Sequence, residues 1–452
     1  MSSLSVAGHE VRRLLRDRAL PTLLTLLLAL AAYAAWNGRA WVEQRNAAIG
    51  VIQLEEQHTH DRSRVFVGKA PSVLPRVQPV LPPAAMASVS IGQAEAYPYT
   101  ADVVALGDRT QLFRNVWADI GNPAARAAGR FDLAFVIVFL LPLVILAASY
   151  DLWARERERG IAALVLSQPV AAGRLIAVKA LARGAVVLLP AGVILVGAAA
   201  WSGAESLAGL GLLSLVILAY GGFWLAVAVL IGCFARRTTE AAIAAGGVWL
   251  LIVVMAPSLT LAAVNLAVPP PSQMQLATDV KARLAATARQ QTLHRRSAST
   301  AVRSSTPVIP DHVREAYADL LATDLDLAPL IESHERAQDA RRRVLDNVRL
   351  LMPAVAVQDA LDRIAGSDAD RALAFQDQVH AFWQARRLLH KAYLDRDAPQ
   401  TLAEYEALPR FRFVEPAGVG RRGVRADLAA LLAATLILLI AAGSMRRRLA
   451  AP

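Results

Sequence analysis

The sequence predicts an all-α polytopic membrane protein with six transmembrane helices and a helical extracytoplasmic domain between the fifth and sixth helices. Of its 452 residues, 55% are hydrophobic and only 19% are charged, below the roughly 25% charged residues of ordinary soluble domains. The apolar residues fall into blocks of about 18 to 28 residues, the length that crosses a hydrocarbon core of about 30 Å. A long polar stretch separates the last two blocks, and it is large enough to form a domain.

These blocks set the boundaries of the predicted organisation. In chain order the parts are a cytoplasmic amphipathic interfacial helix at 1–19, transmembrane helix 1 at 20–36, an extracytoplasmic loop at 37–130, transmembrane helix 2 at 131–150, a cytoplasmic segment at 151–180, transmembrane helices 3 to 5 within 181–266, the extracytoplasmic helical domain at 267–427, transmembrane helix 6 at 428–445 and a cytoplasmic tail at 446–452. A basic start before the first apolar block is also typical of a cleaved secretory signal, and that alternative stays open.

Basic residues are concentrated in the short segments on one side of the predicted helices. The segments 1–19, 150–183, 235–240 and 446–452 carry 15 Lys or Arg and 6 acidic residues, so they hold nine of the eleven net positive charges. Cytoplasmic loops of membrane proteins carry such an excess, which predicts that both termini are cytoplasmic. The distribution favours membrane lipid, and not nucleic acid, as the partner of this charge.

Ionisable residues near the predicted helices lie at the helix ends. They are Asp132, Asp151, Lys179, Arg183 and Asp427. Side chains in such positions can extend to the membrane surface, so we expect their charged groups to reach the interface. A transporter driven by protons or sodium usually carries an acidic residue or a histidine near the middle of the membrane. The sequence has none there, which disfavours an ion-coupled transporter.

Patterns that indicate an enzyme or a metal site are missing from the sequence. Cys233 is the only cysteine, so no disulfide or thiolate metal site can form within one chain. The sequence has no His-Glu-x-x-His pair, no Gly-x-Ser-x-Gly elbow and no Gly-x-x-x-x-Gly-Lys-Ser/Thr phosphate loop. We therefore predict no catalytic residue, no cofactor site and no metal site in this chain.

The predicted outer domain shows apolar residues at helical spacing. One row is Val344, Val348, Leu351 and Val355, and another is Phe375, Val379, Phe382, Leu389 and Tyr393, with Arg386 as its polar position. We expect both rows to form core packing. Pro353 falls within the first row and is expected to break the helix, while Asp311 and Ser367 are predicted to lie at helix starts.

The connection between the second and third predicted helices carries the most informative motif. An acidic-basic-acidic run is followed by a glycine that ends it, a short apolar helix, a Ser-x-Pro and a basic helix. The residues, in chain order, are Glu156, Arg157, Glu158, Gly160, Leu164, Ser167, Pro169, Arg174 and Lys179. A short helix that lies along the membrane face can be bound by a cytosolic partner.

This order of residues resembles the permease subunits of ABC export systems of the type-2 class. One position departs from their pattern, because the Thr that often follows the glycine is Ile161 here. The segments 122–143, 364–375 and 408–413 resemble the branch of that class that has long loops and a large extracytoplasmic domain. The similarity extends over most of the chain.

The resemblance implies a transport subunit without an ATPase site of its own. A cytosolic ATP-binding cassette subunit would bind ATP and Mg, and the motif residues would couple to it, with Glu156 and Glu158 pairing with its basic residues. A second permease subunit, identical or related, would complete the pathway in a bacterial inner membrane, with export as the implied direction. The alternative is a membrane-anchored scaffold or receptor whose outer helical domain binds a partner.

Overall fold

A computed structural model describes residues 3–69, 73–104, 107, 109–113, 131–162, 172–298, 311–396, 398–416 and 418–445. Most of this part of the chain is helical, and six of its helices are long and apolar enough to cross a membrane. The predicted all-α polytopic fold is therefore confirmed.

We number the helices in chain order. They are α1 (Ser3–Arg16), α2 (Ala19–Arg64), α3 (Leu133–Phe135, a π-helical turn Val136–Leu140, and Leu141–Ser149), α4 (Ala154–Glu158), α5 (Ala172–Trp201), α6 (Leu207–Phe234), α7 (Thr238–Trp249, a π-helical turn Leu250–Met255, and Ala256–Ala267), α8 (Gln273–Ala298), α9 (Asp311–Arg349), α10 (Pro353–Ala365), α11 (Ala369–Arg396), α12 (Leu402–Glu406) and α13 (Val419–Ser444). The six candidate spans are α2, α3, α5, α6, α7 and α13.

Helix α2 does not end where its apolar stretch ends. The sequence predicted a span at 20–36 followed by a loop, but one helix of 46 residues runs from Ala19 to Arg64, which is about 69 Å at 1.5 Å per residue. Beyond Trp36 the chain is rich in Ala, Gln, Glu and Arg, all residues of good helix propensity. The change from apolar to polar composition therefore marks where the candidate membrane span ends, and the helix itself continues beyond that point.

Helices α8 to α12 lie where the sequence predicts an extracytoplasmic helical domain. We call this region the outer domain after that prediction, and its side of the membrane stays a prediction. Of the two predicted core rows, the one on α11 is correct: Phe375 and Val379 are fully buried, and Phe375 meets Phe411 edge to face with ring centroids 5.9 Å apart. Its polar position, Arg386, is also buried and donates a hydrogen bond to the Pro75 carbonyl at 2.7 Å. This row thus contacts Pro75, which precedes α3 in the chain, and Phe411, which follows it.

The other predicted core row is wrong. Leu351 is 81% exposed and Val344 is 36% exposed. The reason lies in the helix break, because α9 ends at Arg349 and Pro353 begins α10, so the row does not continue along one helix face. Pro353 does break the helix, as predicted.

The five ionisable residues at the span ends are all buried, which makes the expectation that they reach the interface wrong. Burying a charge is costly unless it is paired or hydrogen-bonded, and each of these residues has a protein partner. Asp132 caps the first turn of α3 by accepting a hydrogen bond from the Phe135 amide at 2.8 Å. Asp427 of α13 lies 3.5 Å from Arg349.

The spans have two distinct ends. At one end, which we call the domain end, α3 begins, α5 ends and α10 packs against α3 and α6. At the other end, α1 packs against α5 and α4 packs against α7; we call it the coupling end after the role that the resemblance implies for its motif. A buried loop, residues 84–92, lies at the domain end, and its residues 86–91 are all buried. Loops normally run over the surface. This loop is instead enclosed between the spans and the outer domain.

Helix α2 approaches the buried loop very closely at Gly38. A Cβ added to Gly38 would lie 2.0 Å from the Ser88 carbonyl oxygen. On the other side of the loop, the Ser202 hydroxyl at the end of α5 donates a hydrogen bond to the Ser88 hydroxyl at 2.8 Å. Ser88 is therefore fixed between two spans.

Replacing Gly38 by Ala should lower the melting temperature of the purified protein in detergent. The new methyl group would overlap the Ser88 carbonyl oxygen, and overpacking of this kind costs about 1–3 kcal/mol. Gly50→Ala in the same helix is the matched control, because a Cβ there meets no atom within 4 Å, and Ala is favoured over Gly inside a helix by about 0.5–1 kcal/mol. Equal melting temperatures for the two variants would contradict the close contact.

Candidate functional site

The candidate site lies at the coupling end, where the chain leaves α3 and forms the short helix α4. Leu152 and Trp153 anchor this turn because both are buried in an apolar cluster with Leu175 and Ile176 of α5 and Cys233 of α6. The described start of the connection between the second and third spans is thus packed against the spans.

Gly160 ends the charged run in a left-handed conformation, with φ of +67°. A residue with a Cβ is strained in that region of backbone space, whereas glycine is not. Ile161 and Ala162 are helical again immediately afterwards, so the chain changes direction at this glycine. Leu164, Ser167 and Pro169 lie outside the described residues.

Lys179 and Glu156 form an ion pair within the chain. The Glu156 carboxylate accepts from the Lys179 ammonium, and their side chains are only 16% and 8% exposed. The ammonium also lies 5.4 Å from the centre of the Trp153 ring, within the range of a cation–π contact. Lys179 belongs to α5, which begins at Ala172, so this pair ties α4 to the third span.

Glu158 is also occupied within the chain. Its carboxylate accepts hydrogen bonds from the Thr238 backbone amide at 3.1 Å and the Thr238 hydroxyl at 2.7 Å. Thr238 begins α7, and an acid at a helix N-terminus is stabilised by the helix dipole. Within the chain alone, Glu156 and Glu158 are thus both bound by residues of α5 and α7. Their implied pairing with basic residues of a partner subunit stays a prediction.

Arg157, the basic residue between the two acids, reaches the end of α6. Its Nη1 donates a hydrogen bond to the Ala235 carbonyl at 3.2 Å, directly after the last residue of that helix. A cation at this position compensates the unpaired carbonyls of a helix C-terminus. Three consecutive side chains of α4 thus contact three different spans.

Among the described residues at this end, Arg183 forms the most buried ion-pair cluster. The sequence predicted Arg183 at a span end but not this cluster. Its Nε donates to Glu10 at 2.6 Å, and its Nη1 donates to Asp151 at 2.5 Å and to the Ala148 carbonyl at 3.2 Å. The side chains of Arg183 and Glu10 are 2% and 3% exposed. The cluster joins α1, the end of α3 and α5.

A signal for this cluster was present in the sequence. Glu10 lies four residues before Leu14, and both are buried on the same face of α1, since residues four apart are neighbours on a helix surface. An acid on the apolar face of an amphipathic helix is costly unless it is paired or hydrogen-bonded, which points to a polar partner. Arg183 supplies that partner from a position the sequence places at a span end.

Among the described residues of the site, the exposed charged ones are mostly basic, with Glu158 and Glu240 as the exposed acids. Arg159, Gly160 and Ile161 are exposed after α4, and Arg236 and Arg237 are exposed just before α7. Ile161 has 43% of its surface exposed. Arg174 is exposed in the first turn of α5. We call residues 159–161 the tip.

Comparison with known families decides what kind of protein carries this site. The family model described as ABC-2 family transporter protein matches residues 4–445, nearly the whole chain. The chain belongs to this family. This ABC-2 protein is therefore a membrane transport component, and its six apolar helices fit a multi-pass membrane protein. Comparison with curated proteins finds no match.

Arg183→Met should strongly destabilise this ABC-2 protein. The change leaves Glu10 and Asp151 buried without their guanidinium partner, and removing one member of a buried ion pair costs about 3–5 kcal/mol. Arg155→Met is the matched control, because Arg155 also contacts Asp151, at 3.0 Å, but has 35% of its side chain exposed. Loss of such an exposed pair costs at most about 1 kcal/mol.

Urea unfolding in detergent, followed by tryptophan fluorescence, measures both variants. A loss for Arg155→Met as large as that for Arg183→Met would show that burial does not set the strength of this cluster.

Proposed function

We propose that this chain is the transmembrane permease subunit of an ATP-driven ABC transporter and that α4 and the tip couple it to a separate ATP-hydrolysing subunit. The observation that carries the proposal is the set of ties from α4 to α5, α6 and α7, made by Glu156, Arg157 and Glu158. Family membership supports the transport role.

Because an ion pair and hydrogen bonds join α4 to three spans, a displacement of α4 would be transmitted to those spans. Packed helices that are joined by ion pairs and hydrogen bonds move as rigid bodies between discrete arrangements. A displacement of the tip would reach α5 through Lys179, α6 through Ala235 and α7 through Thr238. The Arg183 cluster would carry α1 along with the same body.

The proposal divides the motif residues into two groups by what they contact. Glu156, Arg157, Glu158 and Lys179 hold α4 to the spans. The tip, and by resemblance the segment that includes Leu164, Ser167 and Pro169, forms the docking surface for the cytosolic ATP-binding cassette subunit. That subunit would bind ATP and Mg, so this chain needs no cofactor.

The remaining parts of the proposal follow from charge and resemblance. The excess of basic residues at the coupling end supports a cytoplasmic location for this end and for both termini. We place the protein in a bacterial inner membrane, with α8–α12 on the extracytoplasmic side and export as the direction of transport. A second permease subunit would complete the pathway.

Ile161→Glu should weaken binding of the ATP-binding cassette subunit. The experiment combines the purified permease with the subunit encoded in the neighbouring reading frame and measures the Kd between them. Burying an unpaired charge at a contact is unfavourable, and we expect the Kd to rise about tenfold or more, equivalent to about 1.4 kcal/mol. Val65→Glu is the control, since Val65 is exposed just after the far end of α2.

A companion variant separates docking from transmission. Glu156→Gln removes the ion pair to Lys179 but leaves the tip unchanged, so the Kd should stay at the wild-type value while transport per ATP hydrolysed falls in proteoliposomes. An unchanged Kd for Ile161→Glu would remove the tip from the interface. Absence of ATP-dependent function in the wild-type complex would favour the membrane-anchored scaffold instead.

A further inference from the structure

We propose that the buried loop is a pH-sensitive latch between the spans and the outer domain, closed when Asp362 of α10 accepts a hydrogen bond from the Ser90 hydroxyl. The latch is a property of this chain alone. Its part in a transport cycle rests on the proposed function.

The buried loop is attached to the spans mainly through its backbone. The Val89 carbonyl accepts a hydrogen bond from the Ala134 amide at 3.1 Å, and the Ile91 amide donates to the Asp132 carboxylate at 2.9 Å. Both partners lie at the start of α3. Together with the close approach of Gly38 to Ser88, these contacts fix the loop to the domain end of the spans.

Besides an apolar cluster that Met86 and Val89 share with residues of α10, the loop is joined to the outer domain by a hydrogen bond to one carboxyl group. The Ser90 hydroxyl donates to Asp362 Oδ1 at 2.6 Å, and the Gln358 amide donates to the same oxygen at 2.8 Å. The loop backbone also passes close to this group, because a Cβ added to Gly92 would lie 2.5 Å from Asp362 Oδ1. Asp362 itself is only 3% exposed.

The charges around Asp362 disfavour its ionised form. Residues 84–92 contain no ionisable side chain. Asp132 of α3 and Asp359 of α10 are acidic neighbours that act on Asp362. Asp368, at the start of α11, is a further carboxyl group in this region and accepts from the Arg371 amide.

The arginines of α10 and α11 in this region are bound to other carboxylates. Arg363 pairs with Asp359 and Asp370, and Arg371 pairs with Glu415. Within the part of the chain that the structure describes, Asp362 has no ion pair of its own. A buried carboxylate without a cation is costly, so burial raises the pKa of Asp362 to about 8.

The raised pKa fixes the direction of the pH effect. When the loop detaches, water reaches Asp362 and its pKa returns towards the usual value near 4. Between about pH 4 and pH 8 the closed form therefore holds one proton more than the open form. The free energy that favours the closed form is thus largest at low pH and decreases as pH rises. The opening constant should increase about tenfold per pH unit in that range and become constant above it.

Hydrogen exchange of the purified chain in detergent tests the latch without any partner subunit. The opening constant for residues 84–92 is measured between pH 6 and pH 8 after correction for the intrinsic exchange rate. We expect an increase of about tenfold per pH unit for the wild type. Asp362→Asn, which has a similar shape but binds no proton, should give a constant value.

The control for this experiment is Asp377→Asn, the same substitution at an exposed position of α11. It should keep the slope of the wild type. A constant value for the wild type, or an unchanged slope in Asp362→Asn, would overturn the proposal. The Ile161→Glu result does not affect this outcome, because that variant tests docking at the other end of the spans.

Ser90→Ala provides a second test that does not remove the carboxyl group. Loss of the hydroxyl donor should raise the opening constant at every pH while the slope stays as in the wild type, since Asp362 still binds its proton. An opening constant equal to that of the wild type would show that Ser90 does not fasten the loop, and the latch would be rejected.

Discussion

The burial of Arg183 between Glu10 and Asp151 is the interaction on which the coupling end depends. One guanidinium joins the N-terminal helix, the end of α3 and the start of the third span. Such a cluster contributes little net stability compared with apolar packing, but breaking it is expensive because charges are left buried. It therefore fixes the relative positions of three helices more than it strengthens the fold, as the proposed rigid-body coupling would require.

One buried carboxyl group at the domain end, Asp362, is accommodated differently from the buried ion pairs at the coupling end. At the coupling end, acids and bases are matched, as in the pairs of Arg183 with Glu10 and of Lys179 with Glu156. At the domain end, Asp362 accepts hydrogen bonds from two neutral donors, and burial raises its pKa to about 8. The proposed latch depends on this second arrangement.

The sequence was sufficient for the class of fold and the family because both depend on local patterns. Apolar blocks and basic segments reveal spans and orientation, and the motif around Gly160 needs only neighbouring residues. Contacts between distant segments could not be foreseen. Glu10 on the apolar face of α1 indicates a polar partner, but nothing local identifies that partner as Arg183. Nothing local indicates either that a loop rich in small residues near Ser88 is enclosed by helices. Leu351 is exposed for a related reason. Helical spacing shows that apolar residues share one helix face, but it does not show whether another segment packs against that face.

The unbroken length of α2 has a mechanical consequence. Helix α2 begins beside the coupling end and extends without a break to Arg64. Its predicted span, 20–36, is shorter than the polar part that follows, so a tilt of the span moves the distant end of the helix farther than the span itself. A tilt of about 5° in a rod of about 69 Å displaces its far end by about 6 Å. Small rotations inside the membrane would thus be amplified at the outer domain, where the Tyr405 hydroxyl donates to the His60 carbonyl of the same helix at 2.6 Å.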